Sequence, residues 1–273
     1  MANLEKANTA ALAREMVDSV QEKISALEEG NGINFPPNYS VANALRTAWL
    51  QIQEVKDLNN RPALEVCTRE SIANALLYTV VQGLSPAKKQ VYYIVYGNQL
   101  QAQRSYFGTM AATKRIPGVL DVWADVVYEG DKFTASKKHG GWFVAEHESA
   151  PENIDPEKIK YAYAVVEQED GESYTEIMTW AQIQKSWSKS RSKAQTVHKE
   201  FPDQMAKRTV INRACKMFFN TSDDSDMMIE AFNATGDQYD NSADAVTEAP
   251  AQECAKLNAL NDELNGGTQD VQQ

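Results

Sequence analysis

Val91-Tyr92-Tyr93-Ile94-Val95-Tyr96, then Gly97-Asn98, then Gln99-Leu100-Gln101-Ala102-Gln103, is where the chain changes its period. A β-branched and aromatic run meets a two-residue turn and an alternating strand, which is a β-hairpin signal. Upstream the apolar residues keep helical spacing. Residues 4–29 carry Leu12, Met16, Val20, Ile24 and Leu27, with Gly30 and Gly32 as the stop. Pro36 and Pro37 make 33–39 a linker. Ser40 caps a helix over residues 41–58 with Ala44, Leu45, Ala48, Ile52 and Val55 inward, and Thr68 caps a third carrying Ile72, Leu76, Leu77 and Val80 to a stop at Gly83.

Downstream the signals are mostly of strands. Ser105 caps a short helix ended by Pro117-Gly118. Strands are expected over 119–128, around 132–136 and 142–146, and over 161–168 and 173–178, the last two joined across Asp170-Gly171. Thr179 and Gln182 form a capping box, and Pro202 opens a long helix. This order predicts an α+β fold: a helical N-terminal region, central antiparallel hairpins with short helices, a long basic C-terminal helix, and a disordered acidic tail. Three regions follow: 1–39, helix and linker with an oligomer contact; 40–236, the core; 237–273, the tail, whose composition supports no core.

The 273 residues, 42% apolar and 24% charged, suffice for a sizeable core. No run reaches the roughly 18 apolar residues of a membrane span, and residues 1–15 have no signal-peptide core, so a cytoplasmic protein without membrane partners is expected. Cys67, Cys215 and Cys254 are far apart, and His139, His147 and His198 are scattered, so no metal, disulfide framework or cofactor is expected. Cys67 and Cys215 read as small buried hydrophobes.

The net charge of −11 is unevenly spread. From Thr221 onward twelve acids face one base, Lys256, so that stretch alone carries −11 and residues 1–220 sum to zero. Residues 181–220 hold nine bases against Glu200 and Asp203, or +7. A basic segment followed by an acidic appendage reads as a polyanion-binding body; a merely solvated basic face is the alternative.

No P-loop, GxGxxG, HExxH or GxSxG is present, which argues against an enzyme driven by nucleotide hydrolysis. Glu167, Glu169, Asp170, Glu172 and Glu176 could imitate the carboxylates of a metal-dependent nuclease; most of them flank a hairpin turn. On the long helix, Arg208, Asn212, Met205, Lys216, Thr209 and Arg213 share one arc, with Ala206, Met217, Val210, Ala214, Phe218, Ile211 and Cys215 opposite. The polar arc carries no acid, as phosphate binding requires. Lys207 falls in the apolar arc and either snorkels or reaches a phosphate. Lys189 and Arg191 add cations ahead of the helix. Gly83 to Val119 also lacks acids: Lys88 and Lys89 precede the hairpin, Gln103, Arg104 and Tyr106 follow it, and Lys114 and Arg115 close the segment. Aromatics with unopposed cations suit sequence-neutral binding of a single strand. Tyr92, Tyr93 and Tyr96 read better as core strand residues than as stacking groups. Tyr106, Trp142 and Trp187 are candidates for stacking, or core residues.

The blocks Gly83-Leu84-Ser85-Pro86 … Val91–Gly97 … Ser105-Tyr106-Phe107-Gly108 … Lys114-Arg115 and Glu200-Phe201-Pro202-Asp203-Gln204-Met205-Ala206-Lys207-Arg208-Thr209-Val210-Ile211-Asn212-Arg213 resemble the RecT family of phage and prophage recombinases, over roughly residues 35–220. The resemblance implies ATP-independent annealing of complementary DNA strands, a homo-oligomeric ring or helical filament on single-stranded and annealed duplex DNA, and cooperation with a separate exonuclease in a bacterial host cell. Host single-strand-binding protein is a further candidate partner, through the tail.

Overall fold

The computed structural model describes residues 2–29, 33, 35–36, 38–188, 198–221 and 226–236, with the side chains of 2–14 and 226 left aside. The expected disordered tail lies outside the described residues, as do Lys189 and Arg191.

Short-range chemistry sets most of the boundaries. Helix α1 (Ala2–Glu29) buries Met16, Val20 and Ile24 against the helices that follow it. Ser40 caps α2 (Val41–Glu54) by accepting from the Asn43 amide, and Ala44, Leu45, Ala48, Trp49 and Ile52 face inward. This helix stops at Glu54, short of the expected 58. Asp57 instead holds a tight turn, its carboxylate accepting from the amides of Asn59 and Arg61 and from the Arg61 side chain, and Lys56 bridges to Pro62. One extra turn of helix, α3 (Ala63–Val66), follows. Thr68 caps α4 (Arg69–Val81) through the Ser71 amide.

The hairpin forms as expected, β1 (Val91–Tyr96) against β2 (Gln99–Arg104), turning at Gly97 with φ +62°. Its register puts Val91, Tyr93, Val95, Leu100 and Ala102 on the buried face over α4, where the Tyr93 hydroxyl bonds Thr79 at 3.0 Å. Tyr92, Ile94 and Tyr96 sit opposite Gln103, Gln101 and Gln99 on the outer, half-exposed face. Ser105 then caps α5 (Tyr106–Thr113).

Five strands make the main antiparallel sheet: β3 (Val119–Tyr128), β4 (Lys132–Lys138), β5 (Gly141–Glu148), β6 (Ile159–Gln168) and β7 (Ser173–Thr179), in the order β3-β6-β7-β5-β4. The capping box at Thr179 and Gln182 starts α6 (Trp180–Trp187). Helix α7 (Pro202–Thr221) lies across β6, β3 and β7. Small residues on both sides, Ala206 and Ala214 on the helix and Ala162 and Ala164 on β6, are fully buried and let the two approach closely. Behind the sheet a second cluster forms from Val127, Tyr163 and Val165 with Phe133, Val144 and Ile177. Helix α8 (Asp226–Ala234) turns back, and its Phe232 stacks on Phe219 at 3.5 Å between centroids; burying such a ring contributes about 2 kcal/mol. The fold is α+β, as the sequence predicts. Cys215 is buried, which pushes its thiol up to about 11, and Cys67 is half-buried. Among the described residues no helix is long and apolar enough to cross a membrane.

Candidate nucleic-acid interface

Helix α7 is enclosed on two sides, not one. Its apolar side rests on the sheet. Its polar side meets α5, where the Thr109 hydroxyl donates to Asn212 Oδ1 at 2.9 Å. Arg208 and Lys216 stand one turn either side of Asn212 and so line the same seam; all three are half-buried. Thr209, expected on the open arc, is buried and accepts from the Trp187 indole N–H at 2.9 Å. Met217, expected inside, is 50% exposed. The arc drawn for a one-sided helix is therefore corrected: α5 brings hydroxyls and small side chains, which give the polar side of α7 a packing partner.

The remaining cations leave the helix at its flanks. Lys207 reaches over the edge strand to Asp125 of β3, 2.9 Å away, and Arg213 Nε meets Glu176 of β7 at 2.7 Å. Glu176 also accepts from the Tyr174 hydroxyl at 3.0 Å. Lys114, just past α5, pairs with Asp121 of β3. Helix α7 has no acid beyond Asp203, as read, but the sheet supplies acids from below.

A compact patch forms at the first turn of α5. The Ser105 amide donates to Gln90 O at 2.9 Å and its hydroxyl to Lys89 O at 2.7 Å, which fastens the Lys88–Lys89 turn to the helix start. A side chain at Gly108 would run into Gln90 O, so only glycine permits this approach. Lys89 itself is left-handed, at φ +56°. Tyr106 lies against Phe107, centroids 4.1 Å apart, and Phe107 is 51% exposed. Burial raises the Tyr106 phenol and nearby Lys207 draws it back, so the lysine belongs to the same neighbourhood. The backbone of the Lys88–Lys89 turn thus abuts the start of α5, which carries Tyr106 and Phe107, and Lys207 lies within electrostatic range of Tyr106. Phe107 went unread in the sequence; the available signal was an aromatic pair directly after a capping serine.

Two candidate cations turn inward. Arg104 is 5% exposed; it donates to Gln82 Oε1 at 2.7 Å, Phe232 O at 2.8 Å, and the hydroxyls of Thr235 and Thr109 at 3.0 Å, and lies over the Phe232 ring. It clamps β2 to α4, α5 and the end of α8, so its reading as a DNA contact is replaced by a structural one. Arg115 tucks beneath Gly83, donates to Val81 O and lies 5.9 Å from the Phe35 ring. Gln103 lies on the outer hairpin face opposite Tyr92. Trp142, 37% exposed, has Lys137 at 5.7 Å over its ring, whereas Trp187 is half-buried and stacked on His198.

The acidic hairpin does not converge. Glu167 lies on the face of Trp123, whose indole N–H it accepts at 2.9 Å, while Glu176 points to α7 on the opposite face. Among the described residues no three His, Cys, Asp or Glu side chains are placed to hold a metal.

The chain is similar to Protein RecT of Escherichia coli (strain K12), 26% identical over 204 residues that cover 70% of this chain and 71% of that protein. The model of the RecT family matches residues 42–248, starting later than the expected 35 and running past 220 to take in α8. Because that match spans well over half of the sequence and contains both helices of the seam and the sheet beneath them, the chain belongs to the RecT family.

Proposed function

We propose that this protein anneals complementary single strands of DNA without nucleotide hydrolysis, as a homo-oligomeric ring or helical filament. Membership of the RecT family gives the coarser role, recombination and annealing of DNA. The finer reading rests on one observation, the patch at the start of α5. Lys88, Lys89 and Lys207 offer cations for phosphates, and Tyr106 and Phe107 offer rings for bases. Arg208, Arg213 and Lys216 extend the cationic surface along α7, with Lys114 at the far end of α5; Lys189 and Arg191 precede α7 in sequence. In this reading the cations meet phosphates and the rings meet base faces, so pairing between the strands supplies the sequence specificity. The role of the protein is to hold backbones in register and to gain avidity from neighbouring protomers. A separate exonuclease would supply the single strands.

The test is a salt titration of oligonucleotide binding by Lys207→Ala, Arg208→Ala, Arg213→Ala and Lys216→Ala, each shown folded by circular dichroism. Each lost phosphate contact lowers the log–log salt slope by about 0.7 on a single strand. Wild-type affinity and slope in all four variants would remove α7 from the interface.

A further inference from the structure

We propose that Asp125 and Glu176 moderate DNA affinity: they hold Lys207 and Arg213 in the strand-free protein and compete with phosphates for them. The inference rests on the annealing reading above and adds residues of opposite charge to it.

Both cations come from α7, and both partners come from the sheet beneath, 82 and 37 positions away in sequence for Asp125 and Glu176 respectively. The pairs are close, at 2.9 and 2.7 Å, and their cations remain reachable: the Lys207 side chain is 33% exposed and that of Arg213 53% exposed. Lys114 with Asp121 repeats the arrangement at the end of α5. The Lys207–Asp125 pair is open to water and contributes little to stability, so folding alone gives weak reason for that cation to be matched to a sheet carboxylate. On DNA the pairing has a clear consequence. A phosphate must displace the carboxylate, and a cation already neutralised releases fewer condensed counterions. Glu176 is the firmer latch, since it is 15% exposed and also held by the Tyr174 hydroxyl. Lys207 and Arg213 therefore stand ready at fixed positions with part of their attraction for DNA withheld. An annealing protein gains from that restraint, because a strand gripped too tightly cannot slide into register with its complement.

The experiment measures binding of a fluorescent 30-nucleotide strand across a salt series for the full-length chain, Asp125→Asn, Glu176→Gln and the double variant. Glu172→Gln, an exposed acid at the β6–β7 turn, controls for the general loss of negative charge. Each latch variant is expected to bind about two- to five-fold tighter than the control. Each is also expected to steepen the salt slope by up to about 0.7. Affinity and slope equal to those of Glu172→Gln would overturn the proposal. Weaker binding would overturn it too, by showing that the carboxylates position the cations for phosphate. Wild-type chain with no salt-dependent binding would instead remove the annealing reading itself, a distinct result.

Discussion

Arg104→Ala separates an interior clamp from a DNA contact at a residue whose sequence context suggests the latter. The residue is 5% exposed, and four of its side-chain hydrogen bonds, at 2.7, 2.8, 3.0 and 3.0 Å, tie it to its neighbours while it stacks over Phe232. A hydrogen bond from a charged donor contributes roughly 1.5 to 3 kcal/mol, but the four do not add. Three of them share the two protons of Nη1, and the single proton of the Thr235 hydroxyl, nearest Ala231 O at 2.8 Å, can turn to only one of Gln82 Oε1 and Phe232 O, at 3.2 and 3.4 Å, when the guanidinium is removed. Truncation also leaves a cavity, whereas losing a buried charge relieves its desolvation. The net expectation is a loss of about 3 to 4 kcal/mol, a large share of the roughly 5 to 15 kcal/mol that holds a domain folded. Arg104→Lys should recover only part of this, because an ammonium cannot reproduce the planar fork. Urea unfolding followed by circular dichroism measures the loss. Strand binding at low temperature, where the variant is still folded, should stay within about two-fold of wild type, because Arg104 reaches the α7 seam indirectly, through Thr109, which donates to Asn212. A wild-type unfolding midpoint combined with a large loss of affinity would refute the clamp and return Arg104 to the interface.

Two further predictions follow from the same structure. A chain ending at Gly236 removes eight acids and one base, so it should keep its fold and bind DNA as well or better; a chain ending at Thr221 removes Thr235 and Phe232 from the Arg104 clamp and should unfold at markedly lower urea, and annealing lost from the first or stability kept by the second would contradict this. Asp131 has a fully buried side chain, and burial pushes its carboxyl up, yet the Tyr128 amide, Ser149, Asn153 and His147 together hold it below the ordinary 3.8; the stability it contributes is full above that value and lost as pH falls through the lower folded value, so Asp131→Asn should flatten the acid limb of a stability–pH curve, and an unchanged limb would refute the assignment.

What the sequence disclosed, and what it withheld, divides by range. Ser40, Thr68, Ser105 and the Thr179–Gln182 box act within three residues of themselves, so the helix starts were legible, as was the Gly97 turn. The strand order β3-β6-β7-β5-β4 was not, because nothing local tells β4 and β5 to lie beyond β7. Arg104 reads as one more cation in an acid-free segment, and its burial depends on Thr235, 131 residues later. The cations of α7 were legible as a set, but their partners were not: Glu176 looks like an ordinary outward strand residue until the sheet is laid beneath the helix, and Asp125 until β3 is placed at the sheet edge. Thr209 was misplaced for the same reason, since a helical wheel drawn for one burying surface cannot foresee that Trp187 of α6 covers it.

The central claim is tested most directly by mixing the purified full-length chain with two complementary strands, one carrying a fluorophore and the other a quencher, in buffer without any nucleotide. The account predicts quenching much faster than for the naked strands, unchanged by added ATP and slowed by Lys207→Ala. A strict requirement for ATP, or a rate no greater than that of the strands alone, would contradict it.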